Sequence, residues 1–331
     1  MIWSMENNPD IVISTRVRLA RNLDGIPFPN RLSNKIETIN SIKQAVFQSN
    51  STISADFEDV GLSNMSETEK LKLSERHLIS PQMLSGTDKE CLINKDKTVS
   101  IMIMEEDHIR EQVILGGYKP DEAYELCDKI DDVLSESLKF AYDEKFGYLT
   151  SCPTNAGTGL RVSVMLHLPA LSIMGKIGRI VSSAANLGIT VRGYNGEGTE
   201  AEGCFYQISN QLTMGISERE IIDRVKSVTD QIIAFEKESR QLLLKDKKDA
   251  LEDKLWRSYG ILKYARTLTS KEAISLLSDV LMGINMGMIT NEIKMPIMEL
   301  IVLVQPGGLG GTDLAPGQRD LKRAEFVRDN L

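Results

Sequence analysis

The stretch from Ser151 to His167, S-C-P-T-N-A-G-T-G-L-R-V-S-V-M-L-H, restricts most strongly how this chain can fold. Its first half contains a proline, an asparagine and two glycines, which are typical of a tight loop. Its second half alternates apolar and other residues, as a half-buried β-strand does. Arg161 is therefore predicted to lie where the loop meets the strand. Glycines at this junction would let a ligand approach the backbone, and the guanidinium suits an oxyanion, but an ordinary turn before a core strand has the same pattern.

The composition excludes several classes of protein. A chain of 331 residues can form one large or two moderate domains, and no apolar run approaches the roughly 18 residues of a membrane span. The start has no signal-type apolar region, so we expect a cytoplasmic protein. The four cysteines lack C-x-x-C spacing, which indicates reduced thiols rather than a zinc site or disulfides. The net charge of −8 argues against a nucleic-acid-binding surface.

Arginines and carboxylates recur beside predicted strands. Arg16 and Arg18 follow an apolar triplet and would share one face of an extended segment, although a lone R-x-R is more often a solvated strand edge. The predicted strand from Val99 to Met104 ends in the acidic run E-E-D-H-I-R. Acidic runs are usually solvated loops, but one at the end of a core strand is a better candidate for a functional site. A third predicted strand, 189–191, is followed at once by Arg192 and a turn that carries Glu197.

Apolar residues at helical spacing predict the helices around these strands. Capping-box pairs mark three of the helix starts, and a proline marks another. The glycine-rich segment 305–317 is not followed by G-K-[ST], so we interpret it as a plain loop and not as a phosphate-binding loop. The predicted helices are Ser33 to Gln48, one that starts at Ser66 with Glu69, one that starts at Pro120, Ile173 to Leu187, and those that start at Ser217 with Glu220 and at Thr269 with Glu272.

Five arginines and two separated glutamates together favour phosphoryl transfer. A nucleoside triphosphate carries charge that must be neutralised while its terminal group moves, and arginines with Mg²⁺ can do this without a Walker loop. Carboxylates bind a planar guanidinium through two parallel hydrogen bonds, so two glutamates could orient a guanidinium acceptor and take its proton. The residues in question are Arg16, Arg18, Arg110, Arg161 and Arg192, with Glu106 and Glu197.

At these residues the chain resembles the phosphagen (guanidino) kinase family, most closely its bacterial branch, the protein arginine kinases. The resemblance covers roughly Ile11 to Arg240 and is carried by S-T-R-V-R-L-A-R-N, E-E-D-H-I-R, C-P-T-N-A-G-T-G-L-R-V-S-V and R-G-x-x-G-E-G, in the right order. It implies an α+β fold with an antiparallel sheet flanked by helices, of the phosphagen kinase/glutamine synthetase-like type. We expect this catalytic domain at 11–240 and a helical C-terminal domain at 241–331.

The resemblance also implies roles for individual residues. Glu106 and Glu197 would clamp the acceptor guanidinium, with Glu197 as the general base, and Cys152 would position the acceptor through its thiolate. Mg²⁺ would be carried by the nucleotide, with no metal site in the protein itself. The residues implied to bind ATP are Ser14, Thr15, Arg16, Val17, Arg18, His77, Arg110, Arg161, Val162, Ser163, Val164, Met165, Arg192, Gly193, Tyr194, Asn195, Gly196 and Glu197.

Two features favour the bacterial branch. The first arginine motif begins at Ser14, so we expect no N-terminal lid domain like that of the animal enzymes. The sequence R-D-L-K-R-A resembles the R-D-x-x-R-A motif that forms an allosteric phosphoarginine-binding pocket in this branch; taken alone, it is an ordinary charged helix start. Met104 departs from the family, which usually has Asn there. The residues of the allosteric motif are Arg319, Asp320, Leu321, Lys322, Arg323 and Ala324.

We therefore expect an ATP-dependent kinase of arginine side chains in proteins, which acts in the stress response and marks proteins for Clp-type degradation. The resemblance further implies a homodimer, a zinc-binding activator protein and a transcriptional repressor as a client, with no direct binding of nucleic acid or membrane. One alternative is a kinase of free arginine or another small guanidine. A second alternative is a non-catalytic adaptor that binds phosphoarginine.

Overall fold

A computed structural model describes residues 8–49, 51–52, 54–193 and 201–331. It has the predicted α+β architecture, with an antiparallel sheet, flanking helices and a helical C-terminal region. The strands are β1 Val12–Arg21, β2 Phe57–Asp59, β3 Glu90–Asn94, β4 Val99–Ile103, β5 Ile109–Gly116, β6 Tyr142–Asp143, β7 Gly147–Tyr148, β8 Leu160–His167, β9 Ile189–Gly193 and β10 Phe205–Asn210. The helices are α1 Ile36–Phe47, α2 Glu67–Glu75, α3 Pro120–Ser135, α4 Pro169–Ile173, α5 Ile177–Asn186, α6 Glu218–Asp246, α7 Lys248–Tyr264, α8 Ser270–Asn285, α9 Ile297–Leu303 and α10 Pro316–Asn330.

The main sheet has eight strands in the order β2-β3-β4-β5-β1-β8-β10-β9. Strand β1 pairs antiparallel with β5, so that Arg18 lies opposite Gln112 and Ala20 lies opposite Arg110. Directly paired residues share a face of the sheet, and residues two apart in a strand share it too. This register places Arg16, Arg18 and Arg110 on one face.

The chain divides into two compact units. The N-terminal unit comprises residues 14–163 and 209–226, and the C-terminal unit comprises residues 1–13, 164–208 and 227–331. The predicted domains, 11–240 and 241–331, stay a prediction. In the described part of the chain, no helix combines the length and the apolar character that crossing a lipid bilayer requires.

In the N-terminal unit, helix α3 packs on β5 and α1 packs on α3. Helix α3 buries Ala123, Cys127, Ile130 and Leu134, which recur at helical spacing on the face turned toward the sheet. Its proline at the first turn needs no hydrogen-bond donor there. The opposite face of β5 carries Arg110, so the helical layer and the arginines lie on different sides of the sheet.

A smaller apolar cluster lies around β3 and β4 in the same unit. Cys91, Ile93 and Met102 of these strands pack against Leu78 and Met83. The capping box predicted at Ser66 is confirmed, because the Ser66 hydroxyl accepts from the amide of Glu69 and the Glu69 carboxylate accepts from the amide of Ser66. Helix α2 therefore starts where the sequence indicates and leads directly to His77.

In the C-terminal unit, α7 packs against α8 and α10, and α8 packs against α9. The helix predicted from Ile173 to Leu187 starts too early, because α5 begins at Ile177 and Ile173 is the last residue of α4. Gly175 lies between α4 and α5 with φ +66°, a left-handed conformation that ends a helix, and the amide of Lys176 turns back to the carbonyl of Leu171. The apolar spacing continues through Gly175, and therefore the pattern alone placed the start of the helix at Ile173 rather than at Ile177.

Candidate active site

Four arginines from three strands of the N-terminal unit form what we call the arginine cluster: Arg16 and Arg18 of β1, Arg110 of β5, and Arg161 at the start of β8. Burial lowers the pKa of Arg16 to about 10, and the positive charges of Arg161 and Arg110 add to the effect. Burial and the other three arginines lower the pKa of Arg18 well below its usual value. The cluster thus holds mutually repelling guanidiniums, which a polyanion would stabilise.

The predicted phosphate and acceptor groups meet at one cavity of about 120 Å³. This arrangement brings Glu106 and Cys152, the predicted acceptor residues, to the same space as three arginines of the cluster. The loop that carries Cys152 contributes the remaining wall. The lining residues are Arg18, Leu19, Ala20, Glu106, Arg110, Cys152, Thr154, Asn155, Gly159 and Arg161.

Glu106 already binds a guanidinium in this structure. Nη2 of Arg110 donates to its Oε2 at 3.1 Å, while Nη1 of Arg110 donates to Oε1 of Glu105 at 2.7 Å. Burial raises the pKa of Glu106; Asp107 and Glu105 add to this effect, and Arg110 opposes it. A half-buried carboxylate with a raised pKa can both bind a guanidinium and accept a proton.

The turn that carries Glu106 begins with a strained residue. Met104 is fully buried and has φ +62°, a left-handed conformation that costs an L-residue roughly 1–2 kcal/mol. Asn, which the family usually has at this position, tolerates that conformation better than Met does. The amide of Met104 donates to the carbonyl of His108, which closes the acidic turn between β4 and β5. The tight turn thereby directs the carboxylates of 105–107 to different partners.

His77 lies next to the arginine cluster with φ +58°. Nε2 of Gln112 donates to the His77 carbonyl at 2.6 Å and to Oγ of Ser100 at 3.1 Å, so the sheet holds the backbone of His77. Burial, together with Arg16 and Arg18, lowers the pKa of His77 to about 3. The ring is therefore neutral at physiological pH. Its predicted contact with the nucleotide stays a prediction.

The glycines of the loop before β8 are required by close packing of the protein's own backbone. A Cβ on Gly157 would lie 2.2 Å from the carbonyl oxygen of Thr213, and a Cβ on Gly159 would lie 2.6 Å from that of Ala20. Both glycines also have positive φ. The close approach that Gly157 and Gly159 permit is made by the protein's own backbone; Gly159 also lines the cavity, and approach of a ligand to this junction stays a prediction. Tight packing of the loop on β1 positions Arg161.

The remaining predicted residues of the first arginine motif and of β8 lie within the sheet. Thr15 donates to the carbonyl of Gly117 and accepts from the amide of Lys119, so it supports the turn after β5. The amide of Val162 donates to Oδ1 of Asn210. The other side chains of this group are buried, and their contacts with ATP stay a prediction; they are Ser14, Val17, Ser163, Val164 and Met165.

Not every predicted site residue is brought to the cavity. Arg192 is an exposed residue near the end of β9, and Gly193 is buried beside it; both belong to the C-terminal unit. The predicted nucleotide residues Tyr194, Asn195 and Gly196, and the predicted general base Glu197, lie outside the described residues. Glu106 lies at the cavity, and its role in a clamp on the acceptor stays a prediction, as does that of Glu197.

The C-terminal motif lies on α10, as the sequence predicted. Arg323 is fully buried: Nε donates to the carbonyl of Val304, and Nη1 donates to the carbonyl of Leu268 and to Asp320. Nη1 of Arg319 donates to the carbonyls of Gly311 and Leu314. Both arginines thus hold loops around α10, and binding of phosphoarginine by 319–324 stays a prediction.

Sequence reasoning missed three residues that hold the site together. Glu105 binds Arg110, and Asp107 accepts from the amide of Ser151, next to Cys152. Arg21 binds Asp131 of α3 and the carbonyls of Ala20 and Thr158. All three stand inside the motifs that were singled out, but nothing in a motif tells which of its charged residues face the protein and which face a ligand.

The donor set suits a triphosphate. Nε of Arg18 is buried and has no hydrogen-bond partner among the described residues, although a buried donor is normally paired. Guanidiniums form two parallel hydrogen bonds with phosphate oxygens, so an anion would satisfy this group. Within residues 8–49, 51–52, 54–193 and 201–331, no group of three or more His, Cys, Asp or Glu could hold a metal ion.

Two family models together match most of the chain. The ATP:guanido phosphotransferase C-terminal catalytic domain matches residues 37–239, and the protein-arginine kinase McsB C-terminal domain matches residues 248–331. The first match includes Glu106, Arg110, Cys152 and Arg161, which line the cavity. The second match includes the motif at 319–324.

Named relatives and solved structures agree with these matches. The protein-arginine kinase of Caldanaerobacter subterraneus subsp. tengcongensis is 44% identical over 99% of this chain and 98% of its own length, and that of Halothermothrix orenii is 45% identical over 99% and 96%. The duplicated taurocyamine kinase from Schistosoma mansoni with bound transition state analog components is 29% identical (TM-score 0.62), with 74% of this chain and 36% of that chain covered. Lombricine kinase is 25% identical (TM-score 0.61), with 70% and 68% covered. This chain therefore belongs to the ATP:guanido phosphotransferase family.

Proposed function

We propose that this protein is a protein-arginine kinase that transfers the γ-phosphoryl group of ATP to arginine side chains of proteins. The observation that carries the proposal is the cavity at which Arg18, Arg110 and Arg161 meet Glu106 and Cys152. Relatives with 44% and 45% identity over nearly the whole chain are named protein-arginine kinases, which supports a protein acceptor.

In the proposed chemistry, one side of the cavity binds the negatively charged phosphates and the other side binds the positively charged guanidinium of the acceptor. A guanidine nitrogen of the acceptor forms a bond to the γ-phosphorus while the bond between that phosphorus and the β,γ-bridging oxygen breaks, and ADP leaves. The arginine cluster stabilises the phosphate charge during this step. A free guanidinium has a pKa above about 12, so a carboxylate must hold it and accept its proton. Glu106 and Glu197 have these roles in the proposal, with Glu197 as the general base and Cys152 beside the acceptor.

Mg²⁺ that is carried by the nucleotide would neutralise part of the phosphate charge. Arg192, His77 and the backbone around β8 would complete the nucleotide site, and the motif at 319–324 would bind phosphoarginine. The cytoplasmic location, the homodimer, the zinc-binding activator, the repressor client and the link to Clp-type degradation in the stress response stay predictions from the resemblance.

The test compares two acceptors under the same conditions. The full chain is incubated with γ-labelled ATP and Mg²⁺, with either casein or free arginine as the acceptor, and acid-labile label is measured together with phosphoarginine by mass spectrometry. We expect label on casein arginines and little on free arginine. The alternative, a kinase of free arginine, would label free arginine instead. A phosphoarginine-binding adaptor would label neither acceptor.

A further inference from the structure

We infer that the two carboxylates on either side of Glu106 are positioning residues with separate tasks. Glu105 orients Arg110 on the phosphate side of the cavity, and Asp107 holds the segment that carries Cys152 on the acceptor side. The inference rests on the proposed function for the identity of the two substrates. The positioning itself rests on contacts within the N-terminal unit.

Glu105 is a buried carboxylate with three donors. Its Oε1 accepts from Nη1 of Arg110 at 2.7 Å and from Oγ of Ser80 at 2.6 Å, and its Oε2 accepts from the amide of Glu106 at 2.9 Å. Its side chain is completely inaccessible to solvent. Charge-assisted bonds of this length in a buried site restrict the guanidinium to one orientation. Glu105 therefore determines where Arg110 presents its remaining donors to an anion.

Asp107 has a different set of partners. It is fully buried, and its Oδ1 accepts from the amide of Ser151 at 2.6 Å and from Nδ2 of Asn22 at 2.7 Å. The same Asn22 nitrogen donates to the carbonyl of Leu149 at 3.0 Å, and Oδ1 of Asn22 accepts from the amide of His108 at 2.9 Å. Asp107 and Asn22 thus join the acidic turn to the segment that directly precedes Cys152.

These contacts leave Glu106 as the carboxylate of the turn that lines the cavity. Its side chain is 31% exposed, whereas that of Glu105 is 0% exposed. Glu106 directly precedes Asp107, and Cys152 directly follows Ser151. The hydrogen bond from the Ser151 amide to Asp107 therefore fixes the distance between the Glu106 carboxylate and the Cys152 thiol. The arrangement predicts that substitutions of Glu105 and of Asp107 have different, experimentally distinguishable effects.

The experiment compares Glu105→Gln with Asp107→Asn, two isosteric changes that each remove one negative charge. Both are made with Cys204→Ser, because Cys204 is partly exposed whereas Cys91 and Cys127 are buried. One readout is the Kd of a fluorescent trinitrophenyl derivative of ATP. The other is the rate of alkylation of Cys152 by iodoacetamide as a function of pH. Neither readout requires phosphoryl transfer.

We expect each variant to change a different readout. Glu105→Gln should weaken binding of the ATP analogue by about tenfold, as loss of a partner behind a liganding group does, and leave the alkylation rate within about twofold. Asp107→Asn should accelerate alkylation of Cys152 by about tenfold and shift its pH profile, with the Kd within about twofold. Glu105→Asp, which keeps the charge, should recover part of the affinity for the ATP analogue.

Equal changes in both readouts for both variants, or no change in either, would overturn the inference, because a merely structural role would not separate the two sides. Thermal unfolding identifies a variant that has lost its fold. In that event Ser80→Ala replaces the change at Glu105 and Asn22→Ala replaces the change at Asp107, and the same separation is required. A wild-type chain that binds no ATP analogue contradicts the proposed function, while the alkylation readout still decides the role of Asp107.

Discussion

The two faces of strand β1 use the same residue type for opposite purposes. Arg18 on one face lies among other arginines, has a buried Nε without a partner in the described part of the chain, and has a lowered pKa. Arg21, three residues later on the other face, donates to both oxygens of Asp131 and lies with its guanidinium carbon 3.6 Å from the centre of the Tyr148 ring. Although burial opposes it, Asp131 raises the pKa of Arg21.

The acceptors around a buried arginine distinguish one that is suited to bind a ligand from one that stabilises the fold. A buried guanidinium costs several kcal/mol of desolvation, which protein acceptors must offset if the protein alone is to stabilise it. Arg21 has such acceptors, and so has Arg323, whose donors bind two backbone carbonyls and Asp320. In the arginine cluster, by contrast, the buried Nε of Arg18 has no partner among the described residues, so a bound anion would offset its cost. We therefore expect substitutions on the first face to change activity and those on the second face to change stability.

The largest expected effect is that of Arg18→Met on phosphoryl transfer. This change keeps most of the apolar volume and removes a guanidinium that stabilises phosphate charge, so the rate of protein labelling from ATP should fall by about a thousandfold. The free energy of unfolding without nucleotide should stay the same or rise, because repulsion from Arg16 and Arg110 is relieved. Labelling kinetics and thermal unfolding measure the two quantities.

Arg31→Met, at an exposed arginine of the same unit, is the matched control and should change neither the labelling rate nor the melting temperature. A large drop in the stability of Arg18→Met would contradict the comparison, because the face would then be stabilised by the protein and not by a ligand.

The next effect is that of Arg21→Met on stability. Removal of this guanidinium leaves Asp131 without its ion-pair partner at a buried position and frees the carbonyls of Ala20 and Thr158, so the free energy of unfolding should fall by about 3–5 kcal/mol. Urea denaturation followed by circular dichroism would measure it.

Asp131→Asn is the companion variant, since it removes the charge that Arg21 pairs with and keeps the shape. It should lower stability in the same direction, and the two changes together should cost less than the sum of the single costs because they share one interaction. Strict additivity would show that Arg21 and Asp131 do not act as a pair.

The smallest expected effect concerns pH. The pKa of His77 is lowered to about 3 by burial and by Arg16 and Arg18, while the unfolded chain has an ordinary value near 6.5. The unfolded state then binds a proton as pH falls below about 6.5 and the folded state does not, so stability is lost in that direction. Between pH 8 and pH 6, His77→Asn should lose about 1 kcal/mol less than the wild type does.

Asn is chosen because it tolerates the positive φ of His77. Urea denaturation at the two pH values measures the difference. Identical pH dependence in both proteins would show that the ring is not held neutral beside the arginine cluster.

Much of the architecture could be predicted from the order of residues. The strand β8, the capping box before α2 and the apolar stripe of α3 follow from local patterns, and each of them appears in the structure where the sequence indicates. The half-buried character that the alternation predicted for β8 is wrong, because the strand is buried on both faces. The break at Gly175 was missed because apolar spacing continues through it, and a single glycine inside a helical pattern does not reveal its φ.

The order of residues alone was enough to predict which strands carry arginines and which family the motifs resemble. It also predicts that Arg16 and Arg18 share a face of β1 and that Arg21 lies on the other face. These properties follow from the alternation of side chains along a strand and from the order of the motifs, which short segments of the chain contain by themselves. Only the tertiary structure decided which charged groups are used by the protein. The acceptors of Arg21 and of the Ser151 amide come from residues 110 and 44 positions away, and the burial that makes such contacts important arises only when those segments pack.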